Sequence, residues 1–212
     1  MSLEEVREQN KKKVIQSALR LFVKHGIDNA KIAEIAAQAG LTERSVYRYF
    51  NTKSDLVLAA ALLFWQSNVV QAKKLCEQDG FDAMTGAEQI ESVLLAYTKL
   101  FYTEREKLIF VDEAEIFLYK SGGRKRMKTI PPLPFDHSRA PLAMAIQKGL
   151  ADGTVSRSRE SDIELLYYNT YDALVGLMQK VAMSEGSDAR GISAEKRLTH
   201  FCGTLTAAFL AP

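Results

Sequence analysis

The 212-residue sequence predicts an all-α chain: a small three-helix unit joined by a long helix to a larger helical bundle. Two observations predict the helices. The 12 Gly and 5 Pro are few and clustered, and the segments between them repeat apolar residues at three- and four-residue steps with little strand-type alternation. Charge predicts the division. Between Lys11 and Asp55 nine basic side chains stand against four acidic, net +5, on a chain that carries only +2. A compact basic segment of this kind favours contact with polyanions. Apolar and charged contents of 47% and 25% are globular and exclude collagen-like or disordered chains.

The first helix is predicted from Leu3 to His25, with Val14, Ala18, Leu21 and Phe22 as its apolar stripe and Lys11, Lys12 and Lys13 beside it. Lys24 and His25 suit the negative end of a helix, and Gly26 stops it. A short helix from Ile32 to Ala39 halts at Gly40. Another starts at the N-cap Thr42 and ends near Phe50. Asn51-Thr52-Lys53-Ser54 then restarts a longer helix through about Glu77, in which Phe64-Trp65 marks the passage into the body. Five more helices are expected at about 84–103, 105–120, 138–151, 160–184 and 193–210, the last two separated by Glu185-Gly186-Ser187-Asp188. Gly122-Gly123 and Pro131, Pro132 and Pro134 bracket a basic loop, Arg124-Lys125-Arg126-Met127-Lys128, read as a solvated connector rather than a phosphate site. The expected domains are residues 1–52 and 53–212.

Several function classes recede at once. The longest apolar run, Leu56 to Trp65, is about half a membrane span. The opening Met-Ser-Leu-Glu-Glu does not read as a secretory signal. Cys76 and Cys202 lie far apart without metal-ligand spacing and read as buried thiols of a reducing compartment. A soluble cytoplasmic protein is expected. His25, His137 and His200 fall in separate elements, and no nucleophile–base set or Gly-rich phosphate loop occurs, so neither a metal, a cofactor nor an enzymatic activity is expected.

The segment from Ile32 to Phe50 is the most informative. Two short helices joined by Gly40-Leu41-Thr42 have the form of a helix-turn-helix. Ile35 and Ala39 supply apolar contacts, Ala36 is small where the second helix must approach, and Gly40 suits a positive φ. Leu41, Val46 and Tyr49 complete the apolar side. In such a motif the second helix enters the major groove. Thr42, Glu43, Arg44 and Ser45 lie at its N-terminal end, where base edges are reached. Arg44 suits bidentate pairing with guanine; Glu43 either accepts from cytosine or forms a local ion pair. Arg48, one turn on, reaches base or phosphate. Tyr47, Tyr49 and Lys53 carry donors suited to phosphate, with Lys53 at the start of the following helix. Val46 and Phe50 read as core, and Tyr49 is divided between core and phosphate.

Residues 11–60 resemble the N-terminal domain of TetR-family transcriptional regulators. The matching elements are Ala18-Leu19-Arg20-Leu21-Phe22 before Gly26, Ile35-Ala36-Ala37-Gln38-Ala39-Gly40, Ser45-Val46-Tyr47-Arg48-Tyr49-Phe50, then Lys53 and Leu56. The resemblance covers about a quarter of the chain and implies a helix-turn-helix DNA-binding domain on a helical ligand-binding and dimerisation domain. It also implies that Tyr47, Tyr49 and Lys53 clamp the DNA backbone. One departure stands out: where the family has Thr or Ser before its second helix, this chain has Ala30 and Lys31. The hydroxyl cap is lost, and Lys31 is left to meet phosphate as a point charge.

The implied function is that of a homodimeric regulator, a repressor that reads a palindromic double-stranded operator and leaves it when a small-molecule effector binds. An effector-independent architectural or partner-recruiting DNA-binding protein is the alternative. For the dimer surface, Leu166, Thr170, Ala173 and Leu177 repeat at helical spacing on one of the last two helices, and Leu198, Phe201, Leu205 and Phe209 on the other. Gly176, Gly203 and Ala207 permit close approach; intramolecular core accounts for some of the same positions. For an effector pocket, the aromatic residues Phe64, Trp65, Tyr97, Phe101, Phe110, Phe117, Tyr168 and Tyr171 offer apolar bulk, and Asn68, Glu113 and Asp172 offer polar groups. Glu113 or its neighbour Asp112 turned inward favours a cationic ligand.

Overall fold

The computed structural model describes residues 2–121, 140–184 and 191–210; within these ranges the side chains of 68, 71, 72, 75, 76 and 100–102 are not described. The basic loop at 124–128 and the separator at 185–188 lie outside the described residues. Nine α-helices stand among the described residues: α1 Leu3–His25, α2 Ile32–Gln38, α3 Glu43–Tyr49, α4 Lys53–Cys76, α5 Gly86–Thr103, α6 Arg105–Lys120, α7 Pro141–Asp152, α8 Ile163–Ala182 and α9 Ala194–Ala207. The all-α expectation holds, and each expected helix lies within a few residues of its place. An isolated antiparallel bridge joins Val155 to Leu210.

The chain divides into two compact units, Met1–Gln66 with Ile109–Pro131, and Ser67–Leu108 with Pro132–Pro212. Helices α4 and α6 each run through a division point.

In the first unit, α1 begins with a capping box: Ser2 Oγ accepts the Glu5 N–H at 3.1 Å, and Glu5 Oε2 accepts the Ser2 N–H at 2.7 Å. It ends at Gly26, whose φ of 77° is open to glycine at little cost. Val14, Ala18 and Phe22 are buried along one face and meet a core that includes Ile35, Ala36, Val46, Phe50 and Leu56. The same unit takes a segment from α6, where Phe110, Val111, Ala114 and Leu118 are buried. Phe110 stacks on Phe22 with ring centroids 5.9 Å apart and planes 12° apart. Sequence periodicity gave no sign that this stretch of α6 belongs with the N-terminal helices.

In the second unit, α5 and α7 cross at two glycines. A Cβ on Gly86 would lie 2.1 Å from the Cα of Gly149, so this close a crossing requires that Gly86 have no side chain. The N-terminus of α5 is held there: Gly86 N–H donates to Asp152 Oδ2 at 2.7 Å and Ala87 N–H to Thr154 Oγ1 at 3.1 Å. The hydroxyl of Thr154, donating in turn to Asp152, holds that carboxyl below the usual range. Helix α8 turns Tyr167, Tyr171, Leu174 and Met178 inward, and α9 turns Leu198 and Cys202 inward. Burial pushes the Cys202 thiol up to about 11, an inert buried group as expected.

Candidate nucleic-acid interface

Helix α2 ends in a Schellman arrangement. Leu41 N–H donates to the Ala36 carbonyl at 2.9 Å and Gly40 N–H to that of Ala37 at 3.0 Å, with Gly40 at φ 70°. Gly40 is therefore the turn residue its position predicts. Thr42 caps α3 by accepting the Ser45 N–H at 3.3 Å, and the two hydroxyls lie 3.0 Å apart. This hydroxyl pair was not foreseen, and it occupies two groups read from sequence as base-edge contacts.

Val46 and Phe50 anchor α3 in the core. That places Glu43, Arg44, Tyr47 and Arg48 on its exposed side, with Ser45 and Tyr49 half-buried between the two faces. Arg44 and Arg48 are one turn apart on this side, as are Glu43 and Tyr47, whose ring is 49% exposed. Lys31 is exposed at the N-cap of α2 and forms no side-chain cap. Helix α4 starts from Thr52, whose N–H and hydroxyl both donate to Asp55 Oδ2, at 3.0 and 2.9 Å, while Asp55 N–H donates back to Thr52 Oγ1. Lys53 Nζ donates to the Asp28 carbonyl at 3.2 Å, so the residue expected on phosphate also ties the α1–α2 turn. The sequence-predicted DNA residues thus gather around one short, capped, exposed helix and the two helix starts beside it.

Other expected sites fare less evenly. Glu113 was assigned to an effector pocket, but its carboxylate accepts the Ile27 N–H at 2.7 Å and is committed to the head's own backbone. Phe110 was assigned to the same pocket and is instead core, stacked on Phe22. Phe64 and Trp65 are buried in the first unit with ring centroids 5.1 Å apart, and Phe117 is half-buried there. Tyr97 and Tyr171 meet edge to face at 5.8 Å in the second unit. Tyr168 packs on Tyr167 at 5.2 Å, and burial pushes the Tyr167 hydroxyl up to about 12. Asp172 is exposed on α8 rather than turned inward; its carboxyl is nevertheless raised by partial desolvation. The side chains of Asn68 and Phe101 lie outside the described residues.

Of the expected dimer residues, Thr170, Leu198 and Phe209 are buried within their own chain. Each is at most 1% exposed within its own chain, and the Phe209 carbonyl accepts the Ser156 N–H. Ala173 is exposed, and Leu166, Leu177, Phe201 and Leu205 are half-buried. Leu177 and Phe201 line an open groove of about 510 Å³ with Ile192, Lys196, Arg197 and His200. Helical period marked both faces of α8 and α9 as apolar and could not say which one the chain covers itself. Among the described residues no cluster could hold a metal ion, and no helix is long and apolar enough to cross a membrane.

A capped recognition-type helix on a basic three-helix head, continued by a long helix into a second helical unit, defines a two-unit helix-turn-helix protein. Residues 14–60 match the family model of bacterial regulatory proteins of the tetR family. They are similar to the HTH-type transcriptional dual regulator CecR of Shigella flexneri, 48% identical over 54 residues, or 26% of this chain and 24% of that one. The whole fold resembles the fatty acid degradation regulator FadR from Bacillus halodurans, with a TM-score of 0.63 at 17% identity over 95% of this chain and 94% of that one. It also resembles RolR in complex with resorcinol, with a TM-score of 0.61 at 20% identity over 97% and 90%. The likeness to the tetR family thus lies in residues 14–60 by sequence, and in the rest of the chain by fold alone. The match to CecR spans about a quarter of each chain, and the structural likenesses extend the fold alone.

Proposed function

We propose that the protein is a homodimeric, DNA-binding transcriptional regulator, a repressor whose operator affinity falls when a small molecule occupies the body. Residues 1–52 are the reading head and 53–212 the sensing and dimerising body. The observation that carries the DNA reading is the face of α3. Arg44, Tyr47 and Arg48 stand exposed on a helix pinned by Val46 and Phe50, on the part of the chain with net +5. A helix of this size reaches few bases, and a dimer reading two half-sites about 34–36 Å apart answers that limit. The exposed Leu165, Ala173 and Gly176 of α8, Met183 just beyond it, and the groove at Leu177 and Phe201 offer the surface for it.

The effector reading is supported by the Tyr97–Tyr171 pair beside Thr170, whose buried hydroxyl has no hydrogen-bond partner among the described residues. The resorcinol complex of RolR shows a neighbour of the same fold holding a small aromatic molecule. Selection of bound fragments from genomic DNA tests the first claim: one palindromic site, protected by two protomers, is expected. Recovery of fragments with no shared sequence would favour the architectural reading. Titration of an effector candidate with and without operator tests the second, because the two ligands must weaken each other by the same factor. Equal effector affinity in both titrations would remove allosteric release.

A further inference from the structure

We propose that Glu113 is a positioning residue for DNA reading: delivered by α6, its carboxylate holds the α1–α2 turn in the shape that presents α2 and α3. The turn runs from Gly26 to Lys31 and is tied on opposite sides of its backbone. On its donor side, Ile27 N–H donates to Glu113 Oε1 at 2.7 Å across 86 residues of sequence. On its acceptor side, the Asp28 carbonyl takes the Lys53 Nζ bond at 3.2 Å. The turn closes on itself where Ala30 N–H donates to the Gly26 carbonyl at 3.2 Å.

Three features make the carboxylate more than incidental. The Ile27 side chain is fully buried, so its neighbouring N–H has poor access to water if Glu113 withdraws. Gly26 adopts φ 77°, which a side chain would strain, and its Cβ position lies in ordinary contact distance of Glu113 Oε1 at 3.4 Å, so the carboxylate packs directly on the turn. And α2 has no side-chain cap at Lys31, so its start depends on how this turn is held. The Phe110–Phe22 stack, one helical turn before Glu113, fixes α6 against α1 and sets the reach of the carboxylate. Helix α3 follows α2 after four residues. A loosened turn therefore lowers the fraction of protein with α3 correctly presented, and apparent affinity falls with that fraction.

The inference rests on the head being a DNA-binding unit, and the experiment separates the two. Full-length wild type, Glu113→Ala, Glu113→Gln and Glu113→Asp are titrated with a duplex recovered from genomic selection. Exchange of the Ile27 amide is followed in the same proteins. Failure of the wild type to bind any duplex sinks the functional reading. With the wild type binding, Glu113→Ala is expected to bind about tenfold more weakly, the fold-change of one lost charge-assisted hydrogen bond. Its Ile27 amide should exchange faster, while Glu113→Gln, which keeps an acceptor oxygen, should stay within about threefold of wild type. Glu113→Asp keeps the charge but draws it back by one methylene, and should behave as the alanine variant does even where that variant folds poorly. Wild-type affinity in Glu113→Asp, or weakened binding with unchanged Ile27 exchange, overturns the proposal.

Discussion

Replacing Gly86 by alanine should unlock the α5–α7 crossing, and the structure sets the size of the effect. The new Cβ would stand 2.1 Å from both the Cα and the N of Gly149 and 2.9 Å from the carbonyl carbon of Lys148. Carbon atoms pack at about 3.5–4.0 Å, so the two backbones must part by roughly 1.5 Å. No side-chain rotation relieves this, because every near atom is backbone. Overpacking of this kind costs about 1–3 kcal/mol. Parting the helices also stretches the 2.7 Å bond from Gly86 N–H to Asp152, a bond to a charged group worth about 1.5–3 kcal/mol. The terms overlap, and a loss of about 3 kcal/mol is expected. Urea unfolding at fixed protomer concentration, followed by far-UV circular dichroism, measures it. The single Trp, Trp65, lies in the other compact unit and reports separately by fluorescence. Gly149→Ala is a comparison: its Cβ would meet a side chain rather than backbone, Val155 Cγ2 at 2.3 Å and Cβ at 3.1 Å, and it leaves the α5 backbone untouched, so the α5–α7 separation itself should not change. A Gly86→Ala protein within about 0.5 kcal/mol of the parent would show that the crossing is not set by Gly86.

Arg44→Ala should relax discrimination at one base pair by about 1–3 kcal/mol, whereas Lys31→Ala should weaken all duplexes alike and lower the salt slope by about one. Binding titrations across a set of mismatched duplexes and salt concentrations distinguish the two. Phe209→Ala should cost about 3–5 kcal/mol of stability as a cavity in the chain's own core. Leu177→Glu, in the open groove, should instead shift the protein to monomer in sedimentation equilibrium with little loss of monomer stability. Tyr167 supplies a pH test. Its folded pKa of about 12 lies above the ordinary value of 10.0, so its contribution is fully present below pH 10 and is lost as pH rises toward 12. Tyr167→Phe should flatten the alkaline fall in stability over that window, as read from unfolding midpoints.

Helix positions were legible because the stops are chemically local: Gly26 and Gly40 at positive φ and Thr42 as a cap act on their own neighbours in sequence. The reading face of α3 was legible for the same reason, since burying Val46 and Phe50 forces Arg44, Tyr47 and Arg48 outward. What sequence could not reach were contacts across long separations. Periodicity marks Leu198 and Phe209 as apolar but cannot say whether their own chain or a second copy covers them; here their own chain does. Three acids at Asp112, Glu113 and Glu115 offered no sign that one of them would travel 86 residues back to an amide.

That last mismatch changes what α6 is for. A carboxylate held for a cationic ligand would be indifferent to the head until the ligand arrived. A carboxylate already bonded to Ile27 ties the head directly to the helix that carries it. Residues 105–108 of α6 belong to the second compact unit and Ile109 onward to the first, within one unbroken helix. A hydrogen bond of 2.7 Å is lost once its atoms separate by about another ångström. A slide of α6 by much less than one helical turn is therefore enough to release the α1–α2 turn. Of the two α6–head contacts given above, the Phe110–Phe22 stack and the Ile27 hydrogen bond, the hydrogen bond is the one that fails more steeply with displacement.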